Sequence, residues 1–318
     1  MTTAPTPVTW VVGAGGLLGT ALTAALRGRA GTPLDNTPVG WTTDRADGQL
    51  SDSLTRFADL VRGTGRPWRI AWCAGAGVTG TADGVLTGEV RTFERFLTAV
   101  AAQQLPTPGR LFLASSAGAL YAGSDRGGPY DERDPARPIS AYGHAKIACE
   151  DAAAQFAAAS GSQAMIGRIA NLYGPNQNLA KAQGLISHLC RGLLTRQPTS
   201  IFVPLDTIRD YLYVDDCAGM IADMLLAEQT PATPVVRKVL ASQQGTTIAS
   251  LLSLCRQVFK RPPQLVLGSS TTARFQVRDL RLRSVCWPEI DQRVLTPLPA
   301  GLAATAAGML RAAQRGGW

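Results

Sequence analysis

Thr9-Trp10-Val11-Val12 runs straight into Gly13-Ala14-Gly15-Gly16-Leu17-Leu18-Gly19. An apolar segment ends in a loop whose Gly13, Gly16 and Gly19 stand three apart, and an Ala/Leu-rich stretch over 17–30 follows. The pattern predicts a strand, a tight turn and a helix. Glycines at such a turn let the main chain approach a ligand closely. The helix N-terminus adds free N–H groups and partial positive charge, a combination suited to a pyrophosphate. Gly13, Gly16 and Gly19, with Leu17 and Leu18 opening the helix, are therefore candidate dinucleotide-binding residues.

Outward from that turn, short apolar runs alternate with longer helical ones. Strands are predicted over 9–12, 38–43, 69–74, 110–115 and 164–170. Helices are predicted over 17–30, 53–62, 85–104 and 140–160, the last with Ser140 as N-cap and Gly161 as stop. This rhythm predicts an α/β fold, a Rossmann-type doubly wound parallel sheet with helices on both faces. After about residue 172, Gly174-Pro175, Pro198, Pro204, Pro231, Pro234 and Pro262-Pro263 break the rhythm. The expected division is a nucleotide-binding domain over 1–171 and a smaller C-terminal mixed α/β substrate domain over 172–318, part of which returns to the first.

An acid ending the second strand accepts the ribose 2′-OH of NAD, whereas an Arg accommodates the 2′-phosphate of NADP. Two registers compete. Leu34-Asp35-Asn36 has the NAD type of ending but leaves a very short strand containing Pro33. Residues 38–43 make the better strand, with Asp44-Arg45 after it; on that register NADP is favoured over NAD and Arg45 meets the phosphate. Arg45 also reads as an exposed loop cation.

Tyr142-Gly143-His144-Ala145-Lys146 places a tyrosine and a lysine on one face of the Ala-rich helix. An ammonium beside a phenol favours the tyrosinate, which suits a general acid/base for a carbonyl/hydroxyl pair. Ser115-Ser116 ends the strand before this helix, at the carboxyl edge where open α/β sheets bind ligands.

These segments resemble the extended short-chain dehydrogenase/reductases, the NAD-dependent epimerase/dehydratase group that acts on nucleotide sugars. The resemblance is carried by GAGGLLG at 13–19, WCAGAGV at 72–78, SSAGALY at 115–121, PISAYGHAK at 138–146, RIANLYGP at 168–175 and RDYLYVDD at 209–216. It implies that Gly13, Gly16 and Gly19 cradle the pyrophosphate and that Ala74 and Gly75 line the cofactor groove. Tyr142 would be the acid/base, and Lys146 its partner and a ligand of the nicotinamide ribose. Asn171 and Arg209 would contact the diphosphate of a nucleotide-sugar substrate, with Arg283 a further candidate. Arg209-Asp210 also reads as a local salt bridge. The family's catalytic Ser or Thr falls at Ala117 here, so Ser116 takes that role, with Ser115 as substitute and substrate contact. A helix position at which many members carry Asn appears as Val85.

Where the resembling 4,6-dehydratases carry Asp-Glu in the serine loop, this chain has Gly118 and Ala119. Where epimerase-reductases carry a loop Cys it has none, and His188 stands off the register of their His. What remains is redox at one sugar carbon. The favoured expectation is an NAD(P)-dependent nucleotide-sugar 4-epimerase working through a keto intermediate. Alternatives are an NADPH-dependent keto-sugar reductase using the same residues, and a non-catalytic NAD(P)-binding sensor. The resemblance also implies a homodimer through helices 85–104 and 140–160, although Ala148, Ala152, Ala153 and Ala157 would equally pack on the sheet.

The 318 residues are 45% hydrophobic and 17% charged, a balance that excludes a disordered chain. The net charge of +8 is scattered, without a Lys/Arg block or interleaved aromatics; it permits an anionic substrate and argues against nucleic acid. No apolar run reaches the roughly 18 residues of a membrane span, and no signal peptide opens the chain, so no membrane partner and a cytoplasmic location are expected. Six cysteines without a CxxC pair, and only two histidines, predict reduced thiols and no metal site.

Overall fold

Along Val8–Val12 (β1), Trp10 and Val12 enter one apolar core and Val11 the other, and every residue is buried. A strand buried on both faces belongs inside a helix-covered parallel sheet. Such a sheet organises the computed structural model, which describes residues 5–29, 32–33, 39–41, 45–106, 109–181, 183–269, 275 and 277–315.

After β1 come Leu17–Arg27 (α1), Thr32–Pro33 (β2), Ala46–Thr64 (α2), Trp68–Trp72 (β3), Asp83–Ala102 (α3), Arg110–Ser116 (β4), the short Ala117–Leu120 (α4), Ala141–Ser160 (α5) and Gln163–Ile169 (β5). Then follow Asn171–Tyr173 (β6), Leu185–Thr195 (α6), Thr199–Ile201 (β7), Ile208–Tyr213 (β8), Val214–Leu226 (α7) and Val235–Leu240 (β9). Gly245–Thr247 (β10), Ile248–Phe259 (α8), Leu265–Leu267 (β11), Asp279–Leu280 (β12), a 3-10 turn over Pro288–Asp291 and Leu298–Gln314 (α9) complete the described elements.

Among the described residues, the main sheet has the order β2-β1-β3-β4-β5-β9, and every pairing in it is parallel. One face is packed by residues of α1 and α7, including Leu18, Leu22, Leu26, Met220 and Met224; the other by residues of α2, α3 and α5, including Phe57, Phe93, Phe96 and Phe156. The α5 ends are set by local chemistry: Ser140 Oγ accepts from Gly143 N at 3.1 Å, and Gly161 stops the helix at φ +67°.

The second strand differs from the sequence expectation. Among the described residues it is Thr32–Pro33, paired with Val8 and Thr9, and 39–41 are not part of it. Position on a sheet edge tolerates its proline. Residues 39–41 lie outside any strand: Gly40 N donates to Gln49 Oε1 at 2.7 Å, and Trp41 packs edge-on against Trp72. Their apolar character serves packing rather than pairing. Asp35, with the rest of the Leu34-Asp35-Asn36 ending, lies outside the described residues, as do Pro38 and residues 42–44.

The later half is also more regular than its prolines suggested. After the excursion through β6 to β8, α7 packs against α1 and β9 pairs along β5 from Ala164↔Val235 to Ile169↔Leu240. Buried Lys238 anchors this return, its Nζ donating to Asp291 Oδ2 at 2.7 Å and to Ser284 Oγ. Glu132 accepts from Val239 N and Val285 N, both at 2.8 Å, which ties the same segments together. A third core, with Tyr173, Leu189, Tyr211, Leu251 and Leu302, holds β6 and β8 against α6, α8 and α9.

Candidate functional site

The sheet order reverses at β1: its chain neighbour β2 lies on one side and β3 on the other. The crevice beyond the carboxyl ends of β1 and β3 is where doubly wound sheets bind ligands. Gly13 ends β1 at φ +87°, and a Cβ there would stand 2.7 Å from Ala74 N, so the glycine loop presses on the end of β3. Gly19 closes it from the helix side; a Cβ on Gly19 would stand 2.1 Å from Gly13 O. Gly16 begins α1 without a side-chain cap, which leaves the first-turn N–H groups for a ligand, and nothing lies within 4 Å of a Cβ on exposed Gly15. Leu18 is buried under α1 and half-buried Leu17 stays at the rim. This uncapped helix start, with open space at Gly15, fits a dinucleotide pyrophosphate.

Opposite the loop stands α5. Lys146 Nζ donates to Ala114 O at 3.1 Å and lies 5.6 Å from the centre of the Tyr142 ring. Burial pulls the ammonium's pKa down, yet Tyr142, Cys149, Glu89 and Glu150 around it outweigh that, and the net shift is upward. Lys146 is thereby held as the cation. Half-buried Tyr142 reaches the β3–α3 loop, with Cδ2 3.5 Å from the point a Cβ on Gly77 would occupy.

The two serines separate. Ser116 is half-buried and caps α4, its Oγ accepting from Ala119 N at 3.3 Å. The Ala119 carbonyl is 2.8 Å from where a Cβ on Gly143 would stand, so the Ser116 turn packs on the Tyr142 turn of α5. Buried Ser115 is turned into the protein instead, donating to Glu150 Oε1 at 2.7 Å. Glu150 also takes Arg168 Nη2 at 2.9 Å, and Arg168 Nη1 donates to Tyr121 OH at 3.1 Å. Ser115 therefore belongs to a buried ionic network and not to the groove.

On the β6–β8 side, Asn171 Nδ2 donates to Asp210 O at 3.1 Å. The alternative reading of Arg209-Asp210 as a local salt bridge does not hold: neighbours on a strand face opposite ways. Arg209 Nη1 donates to Ile208 O and Val277 O, both at 2.8 Å, while Asp210 Oδ1 accepts from Ser242 N and Oγ. Burial pushes the Asp210 carboxyl up to about 6. Exposed Arg283 lies three residues beyond Leu280, the register partner of Arg209. Arg45 is exposed at the N-cap of α2, and the described residues 39–41 before it form no strand leading to it.

Val85 is 54% exposed and contributes nothing to the groove. The side chain that does so from α3 is Glu89, one turn later, a residue the sequence reading passed over. Its Oε1 accepts from Ala76 N at 2.7 Å and Gly77 N at 2.9 Å. It stands three residues after buried Leu86, the one local sign of its side of the helix. His188 sits on α6 with Nε2 3.1 Å from Lys181 O. Among the described residues no cluster of His, Cys, Asp and Glu is arranged for a metal, and no helix is long and apolar enough to cross a membrane. All six thiols are free, and burial pushes those of Cys73 and Cys149, flanking Lys146, up to about 12 and about 11.

Residues 9–236 match the family model described as the NAD dependent epimerase/dehydratase family. A Methanocaldococcus jannaschii protein named "Putative UDP-glucose 4-epimerase" is 34% identical over 109 residues, 34% of this chain and 35% of that protein. A dTDP-4-dehydro-6-deoxyglucose reductase from Escherichia coli is 30% identical over 107 residues, 34% of this chain and 33% of the reductase. The match thus spans about a third of these curated relatives. The solved structure of MoeE5 in complex with UDP-glucuronic acid and NAD shares the fold at a TM-score of 0.75, with 22% identity, 96% of this chain and 99% of that chain covered.

Proposed function

The chain belongs to the NAD-dependent epimerase/dehydratase family, and within it we propose an enzyme that inverts a sugar carbon of a nucleotide-diphosphate sugar, a 4-epimerase. The observation that carries the reading is the Tyr142–Lys146 pair standing across the groove from the uncapped Gly13–Gly19 turn. Gly13, Gly16, Leu17, Leu18 and Gly19 hold the cofactor's pyrophosphate, and Ala74 and Gly75 form the opposite wall. Tyr142 takes the proton of the sugar hydroxyl and returns it, while Lys146, kept cationic, supports the phenolate and binds a ribose. Ser116 hydrogen-bonds the same sugar oxygen. A bound nicotinamide would supply the reversible hydride acceptor that this exchange needs. Asn171, Arg209 and Arg283 face the substrate diphosphate; for Arg209 this requires exchanging main-chain carbonyls for phosphate oxygens.

We assign NAD as the cofactor: in the sequence Asp35 follows two residues after Pro33 of β2, where an acid would meet the ribose 2′-OH. We further propose that a second copy packs against α3 and α5, where Leu97, Ala101, Ala152, Gln155 and Phe156 line an open groove. Ala153 and Ala157, by contrast, are spent on the core. The matched reductase supports a second reading, in which the same residues reduce a 4-keto sugar.

The test begins with the nucleotide released on denaturation. Near one equivalent of NAD per chain, and conversion of UDP-glucose to its 4-epimer followed by NMR, is the expected result. Tyr142→Phe should keep the cofactor and lose on the order of 10²–10⁴-fold in turnover. An empty protein that oxidises NADPH only with a keto sugar would replace the epimerase with the reductase. Cofactor binding with Tyr142→Phe as active as wild type would end both.

A further inference from the structure

Glu89 offers its two carboxylate oxygens to different things. Oε1 is committed to the main chain, accepting from Ala76 N at 2.7 Å and Gly77 N at 2.9 Å. Oε2 is turned toward Gly75 and Gly77, whose missing side chains let it approach the loop. It lies 3.6 Å from the point a Cβ on Gly75 would occupy, with Lys146 Nζ 3.9 Å from the same point. It lies 3.1 Å from the corresponding point on Gly77, which Leu86 Cδ2 approaches to 2.6 Å and Tyr142 Cδ2 to 3.5 Å. Holding a turn needs only an acceptor, which an amide side chain supplies equally well. What the acid adds is a negative charge in the wall of the groove, between the turn and the Tyr142–Lys146 pair.

Resting on the assignment of this groove to a nicotinamide cofactor, we propose that Glu89 is a specificity-determining residue whose carboxylate favours the oxidised, cationic nicotinamide over the reduced, neutral one. The two forms of the cofactor share pyrophosphate, riboses and adenine and differ by one positive charge on the ring. Contacts that fix the turn act on both alike, and only a charge in the groove separates them. An enzyme that begins each cycle by taking hydride from its substrate benefits from such a bias, because the resting groove must hold the oxidised form. Unit charges about 10 Å apart at an effective dielectric of about 20 shift an equilibrium on the order of tenfold.

The test is the ratio of dissociation constants for NAD⁺ and NADH, titrated separately into protein stripped of nucleotide. Glu89→Gln keeps the acceptor for Ala76 N and Gly77 N and removes the charge. The expected result is an NAD⁺ affinity that falls about tenfold relative to that for NADH. Glu89→Asp keeps the charge and draws back from the turn; both affinities should weaken together with the ratio held near that of wild type. Should the Gln variant fail to fold, the Asp variant decides alone, since a tenfold change in its ratio would overturn the proposal. An unchanged ratio in a folded Glu89→Gln protein, or equal loss of both affinities, would reduce Glu89 to a turn-holding residue and leave the epimerase reading standing. Wild-type protein that binds neither NAD(H) nor NADP(H) would overturn both.

Discussion

Gly19→Ala puts the pyrophosphate cradle to a direct test. The new carbon would meet Gly13 O at 2.1 Å, where ordinary contact begins at 3.4 Å, and would lie 2.8 Å from Ala14 Cα. The first turn of α1 and the glycine loop must therefore separate by roughly 1.3 Å. Hydrogen bonds weaken steeply over such a distance. Losing one N–H bond to a charged phosphate oxygen costs about 1.5–3 kcal/mol, about ten- to hundredfold in Kd. The fold should survive. Alanine is favoured over glycine within a helix by about 1 kcal/mol, against an overpacking cost of about 1–3 kcal/mol. Calorimetric titration with NAD⁺, beside a thermal melt of the same preparation, separates the two effects. Gly15→Ala is the companion: nothing lies within 4 Å of its added carbon, so its melting temperature should stay within about 1 °C of wild type. The reasoning fails if Gly19→Ala melts normally and binds NAD⁺ within threefold of wild type.

Three further outcomes are expected. Glu150→Gln should destabilise by about 3–5 kcal/mol, because it leaves Arg168, 6% exposed, as a buried cation without its carboxylate; at about 0.7 kcal/mol/K for a chain this long, the melting temperature falls by about 4–8 °C. Replacing Glu150 and Arg168 together by Met should cost less than the single change, and a larger loss in the double variant would count against that account. Ser115→Ala should lower stability and spare turnover, whereas Ser116→Ala should lower turnover and cost only the α4 cap, about 1 kcal/mol; the reverse pattern would exchange their roles. Finally, Asp210 has a folded pKa of about 6, above its ordinary 3.8, so the folded protein binds more protons than the unfolded chain between those values. Its contribution is favourable at acid pH and is lost as pH rises through 6, by about 3 kcal/mol. Urea unfolding from pH 4 to 8 should show that fall in wild type and a flatter profile in Asp210→Asn; parallel profiles would refute it.

What could be read from the sequence was what local chemistry decides. The Gly13–Gly19 turn and the Ser140 and Gly161 boundaries of α5 are set by backbone conformation and capping within a few residues, and they stand where the residues predict. The second strand is set instead by pairing: two residues, one of them proline, are held by β1, while the more β-prone 39–41 pack as a turn under Trp72. Ser115 and Ser116 are chemically identical neighbours. Only the buried Glu150, four residues past Lys146 and in need of donors, decides which of them turns inward. Glu89 escaped because a carboxylate on a long helix reads as solvated surface until the β3–α3 loop folds over it. The helix α7 is apolar around nearly its whole circumference, so it gives little periodicity to read, and β9 is hidden behind Pro231 and Pro234.

The place of β9 has a consequence for how the chain can be cut and for how it is made. With residues beyond 171 removed, the seven residues of β5 would present an open row of N–H and C=O groups flanked by Ala164, Met165, Ile166 and Ile169. Such an edge recruits strands from other molecules. A nucleotide-binding fragment ending there should aggregate rather than bind cofactor alone. During synthesis the nascent protein carries that same exposed edge until Val235–Leu240 has left the ribosome, the interval in which a holdase has most to do.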